Sequence, residues 1–569
     1  MNEISLEKDW PARRWLLALL GGLIGVAINH LSIGDPAAWK VAFAAFLAVG
    51  GVAFAFTVQR SDLRPTFAFS ILAALIVGGA IYWNGGPQGW ESSEGWRMTC
   101  SVLAVAIAAP LFQAWRSVQR TGHAPIWSIP YETAHERAWL SLLIGFAALL
   151  FTAITFLLAW LLAALFKLIG LDFIERLLGM SAFVALLIGA AFGGAVGLLR
   201  DRDTIIAMLH RVVMLVLSVL APVMGAALLI FLIALPFTGL APLWSATRST
   251  TPILIVCVIG ALTLANAVIG DAPVDESKNP VLRWGAIALG AAMLPLAIIA
   301  AISTGLRISQ YGVTPDRLWA VVFTAVACAY GASYALALVR ARQGWGPLIR
   351  VSNLRLALGL CALATLLSTP LINFGAISTR SQLARLESGA VAADQFDWTA
   401  LQFDFGAAGK AAVARLAKSG PTPEIRTAAL AVSKRVDRWD ASNDSVRTKQ
   451  ISEMAKNLTI LPKPVALPEA LKTRIANEAG CSGAIRCVLF YQPETTRAQL
   501  VSSSCDTCAT NVTPLELVDG LWISQSPDTK PNPNLAAERA AVEAGRVEVR
   551  AVQRRQVFIG GKPAGAPFE

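Results

Sequence analysis

Long apolar runs alternate with short charged turns from the N-terminus to about Phe374, and there the pattern stops. Each run reaches about 20 residues, the length a helix needs to cross a bilayer. Eleven spans are predicted: Trp15–Ile33, Ala37–Val58, Phe67–Trp83, Met98–Ala114, Ala138–Phe166, Met180–Leu199, Val212–Leu235, Thr251–Ile269, Trp284–Gly305, Leu318–Leu338 and Leu354–Ile372. The first and sixth spans carry small residues four apart, Gly21 and Gly25 in one, Gly189, Gly193 and Gly197 in the other. Such faces let two helix backbones approach closely in lipid. Pro110, Pro222 and Pro295 fall inside spans and predict kinks. Between the fifth and sixth spans, Lys167–Gly179 places Leu168, Ile169, Phe173 and Leu177 on one side and Asp172, Glu175 and Arg176 on the other, the pattern of a short helix lying in the interface.

The polar positions between spans set an orientation. With the N-terminus in the cytoplasm, the cytoplasmic segments hold 17 Lys and Arg and the opposite segments 7. Cytoplasmic loops carry such an excess, so the N-terminus is expected inside. An odd number of spans then puts the C-terminal part outside the cytoplasm, in the periplasm of a bacterial inner membrane. Lys8, Arg13 and Arg14 precede the first span with no small-x-small site after it, so that span is expected to be an uncleaved anchor.

Composition agrees. The 569 residues are 55% hydrophobic and only 15% charged, with a mean hydropathy of +0.57; soluble chains carry roughly 25% charge. The predicted domains are a transmembrane part, 1–373, and a soluble part, 374–569, long enough to bury its own core. The net charge of +11 is shared by both parts, and most basic residues of the transmembrane part follow from topology, so it is no nucleic-acid footprint.

Within the soluble part, 374–460 reads as mainly helical and 461–569 as α+β with four cysteines. Helical patterns cover Thr379–Lys418, Glu424–Trp439, Lys449–Asn457 and Pro468–Glu478, with Leu461-Pro-Lys-Pro as a linker. Cys487–Tyr491 and Ala498–Ser502 look like strands, and Arg546–Val552 with Gln556–Lys562 reads as a terminal hairpin. Cys100, Cys257, Cys328 and Cys361 lie in or beside spans, where a thiol packs as a small hydrophobe. Cys481, Cys487, Cys505 and Cys508 cluster outside them and are disulfide candidates in an oxidising compartment, with Cys481–Cys487 and Cys505–Cys508 as the local pairing. Cys505-Asp-Thr-Cys508 also has the spacing of a zinc or redox pair.

No motif identifies a catalytic group, a metal site or a cofactor. Charge inside spans is nearly absent, and the polar residues closest to a span interior are Asn29, His30 and Asn266. Lacking an intramembrane carboxylate, the sequence counts against an ion-coupled transporter. The outer loops offer Trp244 after the seventh span and Arg307, Gln310, Tyr311, Asp316 and Arg317 after the ninth, a set able to hold an anionic headgroup or a sugar. The structural alternative is a helix cap at Thr314-Pro315 and an interfacial tryptophan anchor. His123, Glu132, His135 and Glu136 crowd one cytoplasmic loop; a solvated, capping helix start is the expected reading, with metal binding as the rival. Asp35, Glu91 and Glu94 are the outer acids that a membrane transferase would use.

One ordered set of motifs resembles a known family. LLRDRD (198–203), the following span with LPFTGLAPLW (235–244), then RISQYGVTPDR (307–317), then Leu371 to Leu386, LINFGAISTRSQLARL, look like a family of bacterial inner-membrane proteins catalogued as domain of unknown function 4153. The likeness runs to about Gly420, and the cysteine-bearing remainder has no match. It implies a bacterial inner-membrane protein with many spans and an external tail, and supplies no activity or site residues. The function expected is a non-enzymatic envelope component: transport, lipid handling, or a scaffold or sensor acting through the tail. Its partners would be membrane lipid and other envelope proteins. The alternative is a membrane transferase acting on a lipid-linked substrate at the outer face.

Overall fold

The computed structural model describes all residues except 1–9, 35–36, 84–91, 121–124, 126, 240–249, 342–343, 436–437, 439–450, 452–453, 455–456, 463–464, 478–486, 494, 504–509, 519–520, 525–554, 560–561 and 569. Among the described residues, 11 helices are long and apolar enough to cross a membrane. In chain order the helices are α1 (Arg13–Leu31), α2 (Ala38–Thr57), α3 (Leu63–Trp83), α4 (Ser92–Gln119), α5 (Tyr131–Leu168), the short α6 (Phe173–Leu178), α7 (Ser181–Arg200), α8 (Asp203–Thr238), α9 (Thr250–Ile269), α10 (Pro280–Tyr311), α11 (Pro315–Ala341) and α12 (Gly346–Ser368). All eleven expected spans are present. Several extend beyond the apolar run: α5 has 38 residues, α8 has 36 and α10 has 32. Large side chains such as Trp15, Phe146, Trp160 and Val223 are exposed along α1, α5 and α8, as a lipid-facing surface requires.

Consecutive spans alternate in direction. The turns 57–63, 200–203 and 269–280 therefore share one end of the bundle with the start of α1, here called the near end. The turn between α10 and α11 lies at the far end.

The two glycine faces pack on each other. A Cβ built on Gly189 would lie 2.0 Å from the Gly21 carbonyl oxygen, and one on Gly193 would lie 2.1 Å from that of Leu17. Only glycine permits this approach of α1 to α7. Gly285 does the same service for Pro222, whose nitrogen a Cβ would meet at 2.6 Å. The proline that interrupts the α8 backbone ladder is thus also a helix contact.

Within the spans, the buried side chains form two larger groups. Leu17, Phe54, Ile144, Ala148 and Val196 join α1, α2, α5 and α7. Leu254, Leu289, Met293, Leu296, Tyr334 and Ile349 join α8 to α12. A smaller cluster of Cys100, Trp319, Leu367 and Phe374 ties α4, α11 and α12 to the next helix.

That helix is α13 (Phe374–Glu387), which begins on an Asn373 cap whose side chain accepts from the Ala376 N–H at 3.0 Å. It is followed by α14 (Trp398–Phe403), α15 (Gly406–Ser419) and α16 (Pro423–Ser433), around a core of Leu401, Phe405, Val413, Leu416 and Ala429. The chain divides into two compact units, Met1–Ser433 and Lys434–Glu569. The apolar spans end near Phe374, but the compact boundary falls later, because α13 packs through Phe374 on Trp319 of α11, rings 4.9 Å apart.

The second unit holds a five-stranded sheet in the order β1 (Leu458–Leu461), β2 (Cys487–Tyr491), β3 (Arg497–Ser503), β4 (Thr510–Val518), β5 (Leu521–Ser524). β1 and β2 are parallel and the remaining pairs antiparallel. Helix α17 (Glu469–Asn477) lies between β1 and β2 in sequence, the crossover that a parallel pair needs. Leu471 and Ile475 of that helix share a core with Leu489, Leu500, Leu515 and Trp522. The strand at 458–461 starts directly after the expected helix end at Asn457 and takes in Leu461, the first residue of the expected linker. At the C-terminus β6 (Arg555–Ile559) pairs with β7 (Lys562–Phe568), whereas the expected strand Arg546–Val552 lies outside the described residues. Ile559 opposes Lys562.

Candidate functional site

The near end of the bundle is pinned by arginines on helix C-termini. Arg13 donates to the Arg200 carbonyl at 2.9 Å and pairs with Asp201 at 2.5 Å. Arg200 donates to the carbonyls of Ala55 (2.6 Å) and Val58 (2.9 Å), closing α2. Arg116 donates to the Thr57 carbonyl at 2.9 Å and to the Thr66 hydroxyl at 2.7 Å. Arg350 donates to the carbonyls of Ile269 (2.7 Å) and Ala272 (3.1 Å), closing α9. Each guanidinium sits on carbonyls left without an intrahelical partner, at the negative end of a helix dipole.

Arg350 belongs to a larger polar network where α5 meets the α8–α12 half. The turn after α9 folds against the bundle: Gly270 has φ +67°, and the Ser277 N–H donates to the Val268 carbonyl at 3.0 Å. Asp275 packs so closely that a Cβ at Gly270 would meet it at 2.9 Å. The turn brings Asp271 to His135 of α5, Nδ1 to Oδ1 2.6 Å, with the side chains only 16% and 13% exposed. On the other side of the ring, Trp139 Nε1 donates to His135 Nε2 at 3.3 Å. An indole N–H can only donate, so His135 accepts at Nε2 and carries its proton on Nδ1, towards the carboxylate. The Trp139 ring also lies 6.4 Å from His210 of α8. Two of the chain's 4 histidines thus converge on one aspartate-bearing turn.

Deeper in, Asn266 of α9 accepts at Oδ1 from the Tyr334 hydroxyl (3.0 Å) and from Asn353 Nδ2 (2.8 Å). Asn353 Nδ2 also lies 3.2 Å from the Tyr334 oxygen and 3.4 Å from that of Tyr131, one turn before His135 on α5. Tyr334 is fully buried and Asn353 nearly so. Three buried atoms here have no partner: Asn353 Oδ1, Arg350 Nη1 and His210 Nε2. Buried polar atoms are nearly always satisfied, so an acceptor and two nitrogens left open in one region mark it as more than packing.

Of the residues singled out in the sequence, Asn266 is the hub of this network. His135 is paired and largely buried rather than part of a solvated helix start. Glu132 and Glu136 make no metal cluster with it, and no group of three His, Cys, Asp or Glu gathers among the described residues. Asp271, Tyr131, Trp139, His210, Tyr334, Arg350 and Asn353 escaped sequence reading. Asp271 had the look of a loop acid, and Tyr334 of an ordinary span residue.

At the far end, the structure brings Arg307, Gln310, Tyr311, Asp316 and Arg317 together on one turn. Arg317 donates to the carbonyls of Tyr311 (3.0 Å) and Gly312 (2.6 Å) and lies 5.4 Å over the Tyr311 ring. Helix α13 adds two residues that sequence reading did not include. Gln382 donates to the carbonyls of Tyr311 (3.0 Å) and Val313 (2.9 Å), and Arg385 to that of Gln310 (2.9 Å). Trp244, Asp35, Glu91 and His123 lie outside the described residues, as do Cys481, Cys505 and Cys508. Cys487 is buried at the start of β2.

Among the described residues, eleven long apolar helices with lipid-facing exposure and polar networks at helix ends and one buried junction define a polytopic helical membrane protein. The family model described as a domain of unknown function, DUF4153, matches residues 35–416, and the chain belongs to that family. No curated protein matches the chain, and no solved structure does.

Proposed function

We propose that this chain is a bacterial inner-membrane protein of the non-enzymatic, transport class, with the network around His135 and Asp271 as its working site. One observation carries the reading: a His–carboxylate pair 2.6 Å apart, buried where the two halves of the bundle meet and continued inwards by Tyr131, Asn353, Tyr334 and Asn266. Ionisable groups at membrane depth are expensive to keep and mark pathways or relays. Binding sites of transporters occupy junctions between two halves of a bundle. Asp271 is not an intramembrane carboxylate: it stands at the near end, just past the last residue of α9, where its turn folds it against His135.

The near end is the cytoplasmic side in this reading, supported by the Lys and Arg bias. The C-terminal unit is then periplasmic, and the local pairs Cys481–Cys487 and Cys505–Cys508 are disulfides there. Alkaline phosphatase fused after Glu569 is active on this topology; activity only from a cytoplasmic reporter at the same position overturns it.

The site is tested with the full chain in liposomes on a solid-supported membrane. A rapid pH step produces a transient charge displacement in the wild type that Asp271→Asn abolishes, with both proteins monodisperse and helical by circular dichroism. A wild-type response no larger than that of empty liposomes, or an unchanged response in the variant, sinks the reading.

A further inference from the structure

Three guanidinium groups from three helices converge at the far end of the bundle. Arg307 is exposed on the last turns of α10, Arg317 stands on the first turn of α11, and Arg385 reaches over from α13. Arg317 lies within electrostatic range of both of the others. Arg317 and Arg385 give their protons to the neutral carbonyls of Tyr311, Gly312 and Gln310, which leaves the cationic charge uncancelled. Asp316 offsets part of it. Arg385 Nε is buried with no acceptor at all.

The turn is shaped to hold this arrangement. Gly312 has φ +74°, and a Cβ there would strike Arg385 Cδ at 2.6 Å and Gln382 Nε2 at 2.8 Å. The left-handed glycine is therefore the seat on which the Arg385 side chain lies. Holding like charges together at a partly desolvated helix end is unfavourable unless an anion completes the group.

We infer that Arg307, Arg317 and Arg385 form a binding site for a phosphate group, supplied by the headgroup of an anionic phospholipid. Guanidinium forks match phosphate oxygens in geometry and form strong charge-assisted hydrogen bonds with them. The membrane source is favoured by the surface below the site. Ile298, Ile302 and Leu306 are exposed at four-residue spacing along α10, and the next position of that row is Gln310, whose carbonyl accepts from Arg385. That stripe offers acyl chains an apolar wall ending at three cations, where the lipid phosphate lies. Basic pockets between transmembrane helices hold anionic headgroups in this way. The site is separate from the near-end network and does not depend on its function.

Native mass spectrometry of the full-length protein, released from micelles doped with phosphatidylglycerol or with phosphatidylcholine, tests the site. The wild type retains phosphatidylglycerol in preference, and Arg307→Gln with Arg385→Gln lowers retention about tenfold or more, the loss of at least one charge-assisted contact. Arg307→Gln alone, at an exposed position, keeps the fold and still weakens retention, whereas Arg64→Gln at the near end does not. Thermal stabilisation of the wild type, but not the double variant, by inorganic phosphate, without lipid preference, keeps the phosphate site and moves its source to the free anion. Equal retention of both lipids together with no effect of phosphate overturns the proposal, as does undiminished phosphatidylglycerol retention by Arg307→Gln.

Discussion

His135 Nδ1 and Asp271 Oδ1 stand 2.6 Å apart although 136 residues separate them in the chain. The contact links the first turns of α5 to the turn between α9 and α10, so it joins the two halves of the bundle. Because both side chains are mostly shielded, removing one leaves the other without its partner in a poor solvent. His135→Gln and Asp271→Asn are each expected to cost about 1–3 kcal/mol. The double variant should be less destabilised than the sum of the singles, because the partners interact directly. Thermal unfolding in detergent measures this; strict additivity would show that the pair is not coupled.

Trp139 donates its Nε1–H to His135 Nε2 at 3.3 Å. Trp139→Phe keeps an aromatic ring and removes the donor, so a loss of about 0.5–1.5 kcal/mol is expected. Thermal unfolding in detergent measures it; a melting temperature equal to that of the wild type would show that the contact carries no weight.

The Tyr334 hydroxyl has two partners in a fully buried position. Tyr334→Phe keeps the ring, which packs edge-on to Trp345 at 5.8 Å, and removes only the oxygen. A loss of about 1–2 kcal/mol is expected, the value of buried hydrogen bonds without a cavity. A change in melting temperature no larger than that of an exposed substitution such as Val339→Ala would show the hydroxyl to be idle.

The α1–α7 seam should be the part of the bundle most sensitive to size. Gly193→Leu places its side chain where the Leu17 carbonyl lies 2.1 Å from the Cβ, and the helices must separate. Gly194→Ala, one position on, meets only the Ala18 Cβ at 3.4 Å and should be tolerated. Cysteine crosslinking between α1 and α7 should be lost in the first variant and kept in the second. Retained crosslinking in Gly193→Leu would show that this contact does not hold α1.

The spans, their number and the two glycine faces were legible because each rests on local pattern. An apolar run of sufficient length has few alternatives to a membrane helix, and glycines four apart must share a side. The far-end turn was legible in part. Arg307 to Arg317 are neighbours in sequence, whereas Arg385 and Gln382 join them only through the packing of α13. The near-end network was almost wholly hidden. Asn266 stood out as a polar residue in a span, but Asp271 looked like any loop acid until Gly270 turned it inwards. In the second unit the strand that the sequence did not reveal has the same explanation. A strand at 458–461 is too short to show an alternating pattern, and its pairing with β2 is decided by α17 between them.

By itself, then, the sequence determined that this is a helical membrane protein and where its spans lie, because the hydrophobic effect acts on each run separately. It also carried the DUF4153 family likeness in an ordered set of motifs. Only the tertiary structure decided which polar groups meet. His135 with Asp271, Asn266 with Tyr334 and Asn353, and Arg317 with Arg385 are brought together by turns and helix contacts between distant segments. Such pairings depend on how the helices pack against one another, and no local pattern encodes that.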